Sequence, residues 1–369
     1  MAKYSQVKNF HFCGFMQFKR DNLLKTKDGS TWKSLNFSVT DGNNSQFVKL
    51  DSFGKGQPFN VLIPNEDGGY DKELVQWNKR FDEELNKRVA NFQKHRVSVD
   101  GKKSKYFLHN DDMINEIIKA VDEGLLQSVK YDEGEIVGGT KVDVRGQIKL
   151  NYWNNEFSQQ FEIQSFVVVP ETVPCEFSGS VSLVFNKEAV KERKDKFIVN
   201  GYVYDYIKPQ GHERGEMKLL PQTLVVNKKD ELGERIGQFL LENMKTKKDE
   251  FYACRFDVKF IKGSEEIEPD DIIPTNEQKM LIELGLLDIS DIVEKAVGRK
   301  INEVRINKIY AKSDYKKFKI LTNFKQKDVF VDDTDDDDDI YENQSIFNIS
   351  EDEENDEMPF DISDLDLPF

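Results

Sequence analysis

Apolar positions along this chain switch between a period of two and a period of three to four, and the switches divide it. Residues 9–18, NFHFCGFMQF, set Phe10, Phe12, Phe15 and Phe18 around Gly14. TWKSLNFSVT (31–40) and SQFVKLDSFGK (45–55) alternate polar and apolar residues among β-formers, with the turn signal DGNN between them. These read as three strands, the first two joined by a basic hairpin loop, KRDNLLKTKDGS. Beyond Tyr70 the period lengthens. Leu74, Trp77, Phe81, Leu85, Val89 and Phe92 make one stripe and predict a long helix. A second stripe, Met113, Ile114, Ile117, Ile118, Val121 and Leu125, predicts another. Strands return in KVDVRGQIKLNYW and FSQQFEIQSFVVV, and Pro170 and Pro174 mark a boundary.

The same order recurs in outline afterwards. CEFSGSVSLVF, KFIVNGYVYDYI and MKLLPQTLVV read as strands. A helix follows with Leu232, Ile236, Phe239 and Leu240 inward, then the strand EFYACRFDVKFI. A small helical piece over 276–298 precedes a last strand, KINEVRINKIYA. The expected class is therefore mainly β with helical insertions (α+β). A first barrel domain spans 1–172 with a helical insertion at about 56–137. A second, five-stranded barrel with a helical segment spans 173–330, and 331–369 forms a disordered tail with too few apolar residues to repay ordering.

Charge sharpens the division. The chain of 369 residues carries a net charge of −15, but from Asp332 onward there are 17 Asp and Glu and no Lys or Arg. The preceding body holds 53 basic against 51 acidic residues. Repulsion toward a polyanion is thus confined to one appendage, and a nucleic-acid partner stays open. No apolar run is long enough for a membrane span, and no secretory signal opens the chain. Cys13, Cys175 and Cys254 form no CxxC pair, which fits a reducing cytoplasm.

Four stretches carry a family resemblance: NFHFCGFMQF with its central glycine, STWKSLNFSVT, QFVKLDSFGK, and the hairpin KVDVRGQIKLNYWNNEFSQQFEIQSFVVV with Gly146 and Trp153. Together with the ending DLPF they resemble the bacterial single-stranded DNA-binding protein family, in an enlarged, phage-like version. The resemblance covers about residues 8–55, 138–170 and the tail; the 56–137 insertion and the second barrel depart from it. It implies an OB-fold first barrel, a second OB-like barrel, and sequence-tolerant coating of unwound DNA during replication, recombination or repair. It also implies that Phe47 and Trp153 stack bases.

The residues support that expectation on their own terms. An open sheet face can stack bases on aromatics while lysines follow phosphates. Trp32 and Tyr152 join Phe47 and Trp153 as candidates, interleaved with Lys25, Lys27, Lys33, Lys49, Lys55, Arg145 and Lys149. Period two puts Lys49 beside Phe47 and Arg145 beside Lys149. Phe37 and Phe53 are assigned to the core. In the second half Tyr202, Tyr204 and Tyr206 alternate beside Lys208, His212 and Arg214, as a second stacking row or one side of a packed sheet. The insertion is either a further DNA contact through Lys102, Lys103 and Lys105 or a packing buttress.

The tip Asp364, Asp366, Leu367, Pro368 and Phe369 combines acid, apolar ring and chain-terminal carboxylate. A hydrophobic pocket rimmed by cations on a replication, recombination or repair protein would hold it. An internal echo, MPFD, lacks the free carboxylate. No phosphate-binding glycine loop, HExxH or GxSxG occurs, and His11, His95, His109 and His212 are scattered, so no enzyme, metal or cofactor is expected. The competing expectation is a replisome adaptor or helicase-loading factor whose barrels serve protein assembly.

Overall fold

The computed structural model describes residues 6–153, 156–207, 215–229, 231–247, 249–264, 276–284, 300–310 and 318–331. The acidic segment, its tip and the loop with Lys208, His212 and Arg214 lie outside them. Beyond residue 284, the expected helical piece over 276–298 does too.

In the first half, β1 (Lys8–Gln17) is followed by the single turn α1 (Arg20–Leu23), the short β2 (Leu24–Thr26), β3 (Lys33–Thr40) and β4 (Ser45–Ser52). Strict alternation drives their burial. Leu35, Phe37 and Val39 of β3, with Val48 and Leu50 of β4, point to one face and are buried. The insertion then contributes the hairpin β5 (Phe59–Pro64) and β6 (Tyr70–Val75), a short α2 (Glu83–Arg88), β7 (His95–Ser98), β8 (Lys105–Phe107) and α3 (Asn110–Asp122). A small hairpin, β9 (Lys130–Asp132) and β10 (Glu135–Gly138), leads to the long β11 (Lys141–Trp153) and β12 (Glu156–Val168).

Five of these strands pair in a closed circuit. β1 pairs β11, β11 pairs β12, β12 runs parallel to β4, β4 pairs β3, and β3 returns to β1 through Phe15 and Thr40. Gly14 makes the return possible: a Cβ there would sit 2.7 Å from the Thr40 carbonyl oxygen. Helix α3 plugs one end with buried Met113, Ile114 and Ile117, as its stripe predicts.

The insertion corrects the sequence reading. One continuous helix was expected over 70–92, but Tyr70–Val75 pairs with Phe59–Pro64 around an Asp67-Gly68-Gly69 turn. Asp82 then caps α2, accepting from the Glu84 and Leu85 amides at 2.9 and 3.1 Å. Only Leu85 and Val89 of the stripe are buried, in a satellite cluster with Val61, Val75 and Leu108; Leu74, Phe81 and Phe92 are exposed. The insertion is thus as much strand as helix. A hairpin partner close in sequence, with Phe59 opposite Val75 at its open end and Pro64 opposite Tyr70 at the turn, overrode the helical period.

In the second half come β13 (Glu176–Phe185), β14 (Val190–Glu192), β15 (Lys196–Ile207), β16 (Glu216–Asn227), α4 (Glu231–Asn243), β17 (Tyr252–Ser264), α5 (Asn276–Glu283), β18 (Lys300–Ile309) and β19 (Lys319–Leu321). The partners repeat the order of the first half. β13 pairs β17, β17 pairs β18, β18 runs parallel to β16, β16 pairs β15, and β15 meets β13 at Val184 and Tyr202. On α4, Leu240 is fully buried, but Leu232 is 61% exposed and does not point inward.

The halves are continuous. Lys8–Cys13 of β1 pairs antiparallel with Val181–Glu176 of β13. Phe12 of β1 meets Phe177 and Phe260 at 5.6 and 5.5 Å, and Phe161 meets Phe260 edge-on at 5.1 Å. Such pairs each add about 0.5–1.5 kcal/mol beyond burial. The DGNN turn docks on β17: the Asn44 side chain donates to the Phe260 carbonyl at 2.7 Å and accepts from the Lys262 amide at 2.9 Å. No helix among the described residues is long and apolar enough to cross a membrane.

Candidate nucleic-acid interface

The outer face of the first circuit is set by strand parity. Odd positions of β4 point outward, and Phe47 is 45% exposed. Phe53, just past the strand, follows the same parity and is 64% exposed. That corrects its assignment to the core, whereas Phe37, of inward parity on β3, is buried as expected. Trp32 precedes β3 on the outward parity of Asn36 and Ser38 and is half-buried. Thr31 holds the Phe53-to-Lys55 stretch against this end, its hydroxyl accepting from the Gly54 amide at 3.1 Å.

The cations divide into free and committed. Lys25, Lys27 and Lys55 are exposed, and no ion-pair partner for them occurs among the described residues. Lys25 pairs in register with Ser34, which pairs with Asp51, so it shares the outer face with Lys49. Lys49 itself bridges to Asp51 at 2.8 Å. Lys149 bridges to Glu162, and Arg145 to Asp143 at 2.8 Å. Lys149 and Arg145 are 50% and 60% exposed, whereas their partners Glu162 and Asp143 are only 20% and 15% exposed, so each cation reaches solvent from a carboxylate anchored in the sheet. Burial would raise the Asp143 carboxyl, but hydrogen bonds from His11 and Arg145 prevail and hold it at about 2.

Lys33 does not belong to the face. It has the parity of Leu35 and Phe37, and its ammonium meets Asp111 of α3 at 2.7 Å and Asn115 Oδ1 at 2.6 Å. With the side chains 12% and 2% exposed, this is a buried ion pair joining plug to wall. Tyr152 is also withdrawn: its ring lies 4.8 Å from Phe157 and 5.1 Å from Phe330, in packing between the halves. Trp153 ends β11, and its side chain lies outside the described residues, as do Asp364, Asp366, Leu367, Pro368 and Phe369. Lys105 is bound to Glu116 at 2.5 Å, while Lys102 and Lys103 are exposed. The tyrosine row of β15 does not present one open face: Tyr202 is buried, Tyr204 packs on Phe324 at 4.8 Å, and Tyr206 is exposed.

One feature had no signal in the sequence. Between the outer surface of β11 and β12 and the β5 hairpin lies a cleft of about 330 Å³, lined by Asn60, Phe92, His95, Gln147, Glu162 and Gln164 among others. These residues come from four separate stretches, and only folding assembles them. Burial pushes the His95 imidazole down to about 4, with repulsion from His109 in the same direction. Its Nδ1 is shielded from solvent and has no hydrogen-bond partner among the described residues.

Among the described residues no group of three or more His, Cys, Asp or Glu could hold a metal ion. No protein-family model matches the chain, and no curated protein matches it in sequence. Among solved structures it is similar to a deletion mutant of the single-stranded DNA binding protein from Thermus aquaticus, at 8% identity and a TM-score of 0.33. The alignment covers 85% of this chain and 97% of that one.

Proposed function

We propose that this chain binds single-stranded DNA without strong sequence preference and coats it while it is unwound, using two OB-type barrels joined through β1 and β13. One observation carries the reading. Phe47 and Phe53 stand on the outward face of the first circuit, with Trp32 at its end, beside Lys25, Lys27 and Lys55, which have no ion-pair partner among the described residues. Exposed rings in a row can stack successive bases, at about 1–3 kcal/mol per base, and flexible ammonium groups can follow the phosphates. Lys149 and Arg145, themselves exposed, extend the cationic track. The motifs that resemble the bacterial single-stranded DNA-binding proteins fall on β1, β3, β4, β11 and β12, the five strands of this circuit. In this reading replication, recombination or repair proteins are recruited through the acidic segment ending in Leu367, Pro368 and Phe369.

The test is titration of a labelled dT oligonucleotide against the full chain. Phe47→Ala and Phe53→Ala should each weaken binding roughly 5- to 150-fold without unfolding the protein. Replacing Lys25, Lys27 and Lys55 together by alanine should flatten the dependence of log K on log salt by about 2, from about 0.7 per phosphate contact. Undiminished binding in both variants would overturn the assignment of this face. No binding by the parent chain would favour the adaptor reading.

A further inference from the structure

The cleft above β11 and β12 is lined by hydrogen-bonding groups, several of them wholly or partly unused among the described residues. Asn60 and Gln147 make no side-chain hydrogen bond among the described residues. Glu162 commits Oε2 to Lys149, leaving Oε1. Gln164 donates through its amide nitrogen to the Phe92 carbonyl at 3.4 Å, which leaves its own carbonyl oxygen as an acceptor. The Phe92 ring is exposed at the margin and steadied edge-on by Tyr70 at 5.2 Å. A cleft of about 330 Å³ lies at the lower end of small-ligand sites. Acceptors and amides beside an aromatic ring match a flat heterocycle with a polar edge.

We infer that this cleft takes one unpaired nucleobase whose exocyclic amino group lies beside an accepting ring nitrogen, cytosine or adenine, from the bound strand. The inference rests on the single-stranded DNA reading above. Position favours it: Glu162 is the register partner of Lys49, two residues from Phe47, so a strand stacked along β4 passes the mouth. Chemistry sets the preference. A carboxylate oxygen and a glutamine carbonyl accept from an amino group, and Asn or Gln amides pair with the amino and ring-nitrogen edge of adenine. Thymine offers an oxygen in place of the amino group, facing Glu162 with acceptor against acceptor. One base in the strand is read while its neighbours are merely stacked.

The experiment compares an all-dT oligonucleotide with one in which internal dT are replaced by dC, using fluorescence anisotropy on the full chain. The dC-bearing strand should bind about tenfold more tightly. Gln147→Leu, which removes the amide without adding a ring or a charge, should shrink that difference and leave dT binding intact. Equal affinities in the parent, or a preference undiminished in Gln147→Leu, overturns the inference while the DNA-binding reading stands. Free deoxycytidine and thymidine give a readout independent of strand binding. Selective perturbation of the Asn60 and Gln147 side-chain amide signals by deoxycytidine would uphold the pocket even if no oligonucleotide bound, and the coating function alone would then fall. No perturbation by either nucleoside overturns the pocket.

Discussion

Replacing Lys33 by methionine separates two roles that one lysine cannot fill together. As a phosphate contact, Lys33 would be dispensable for folding. Its loss would weaken DNA binding and reduce the salt slope by about one contact. The structure makes it instead the partner of Asp111, with 2.7 Å between the charges and side chains 12% and 2% exposed. Asn115 Oδ1 and the Asp111 carbonyl, at 2.6 and 3.2 Å, complete the ammonium's hydrogen bonds. Lys33→Met therefore strands a carboxylate in the wall between β3 and α3, at a cost of about 3–5 kcal/mol. Adding Asp111→Leu removes the orphaned charge and should recover much of that loss, since an apolar pair of similar volume is often as stable. Urea unfolding followed by circular dichroism measures both variants, and a dT titration at a urea-free temperature where each is folded gives the salt slope. The expected result is a large stability loss in the single variant, recovery in the double variant, and an unchanged slope in both. A Lys33→Met protein as stable as the parent, with weaker and less salt-sensitive DNA binding, would refute the buried-pair argument.

Other consequences are as direct. Because burial lowers His95 from 6.5 to about 4, the unfolded chain takes up the proton first as pH falls. Stability from this group is complete above 6.5 and is lost progressively down to about 4, by about 3 kcal/mol in all. His109, lowered in the same direction by burial, adds to the trend. His95→Gln should shrink the change in urea midpoint between pH 7 and pH 5; an unaltered pH dependence would count against it. Gly146→Ala would place a Cβ 1.9 Å from the Glu162 carbonyl oxygen, where neither backbone can yield, and should cost at least about 3 kcal/mol in thermal or urea unfolding. On α4, Leu240→Ala should cost about 2–5 kcal/mol and Leu232→Ala less than about 0.5, since the first is fully buried and the second exposed. Equal effects would mean that the helix packs through another face.

The sequence by itself determined what depends on neighbours along the chain. Alternation in KSLNFSVT and SQFVKLDS settles which residues of β3 and β4 face inward, Phe37 among them, and which face outward, Phe47 among them. Applied strictly, it would also have turned Phe53 outward and Lys33 inward. Those two misreadings came from weighing residue type above parity. The stripe of α3 was legible because Met113, Ile114 and Ile117 keep one helical face against a large core. Tertiary structure decided the rest, because the deciding partner lies far away in sequence. The stripe from Leu74 to Phe92 has helical spacing, but its first turn found a better partner in the strand Phe59–Pro64, and the helix was reduced to Glu83–Arg88. Tyr152 looks like a stacking residue until Phe330, from the other end of the chain, covers it. Charges behave likewise: the sequence counts Lys49, Arg145 and Lys149 as cations, and only register brings Asp51, Asp143 and Glu162 within reach of them. Local periodicity is a property of a segment, whereas burial, pairing and the cleft around Gln147 are properties of surfaces that meet only after the chain has closed its two circuits.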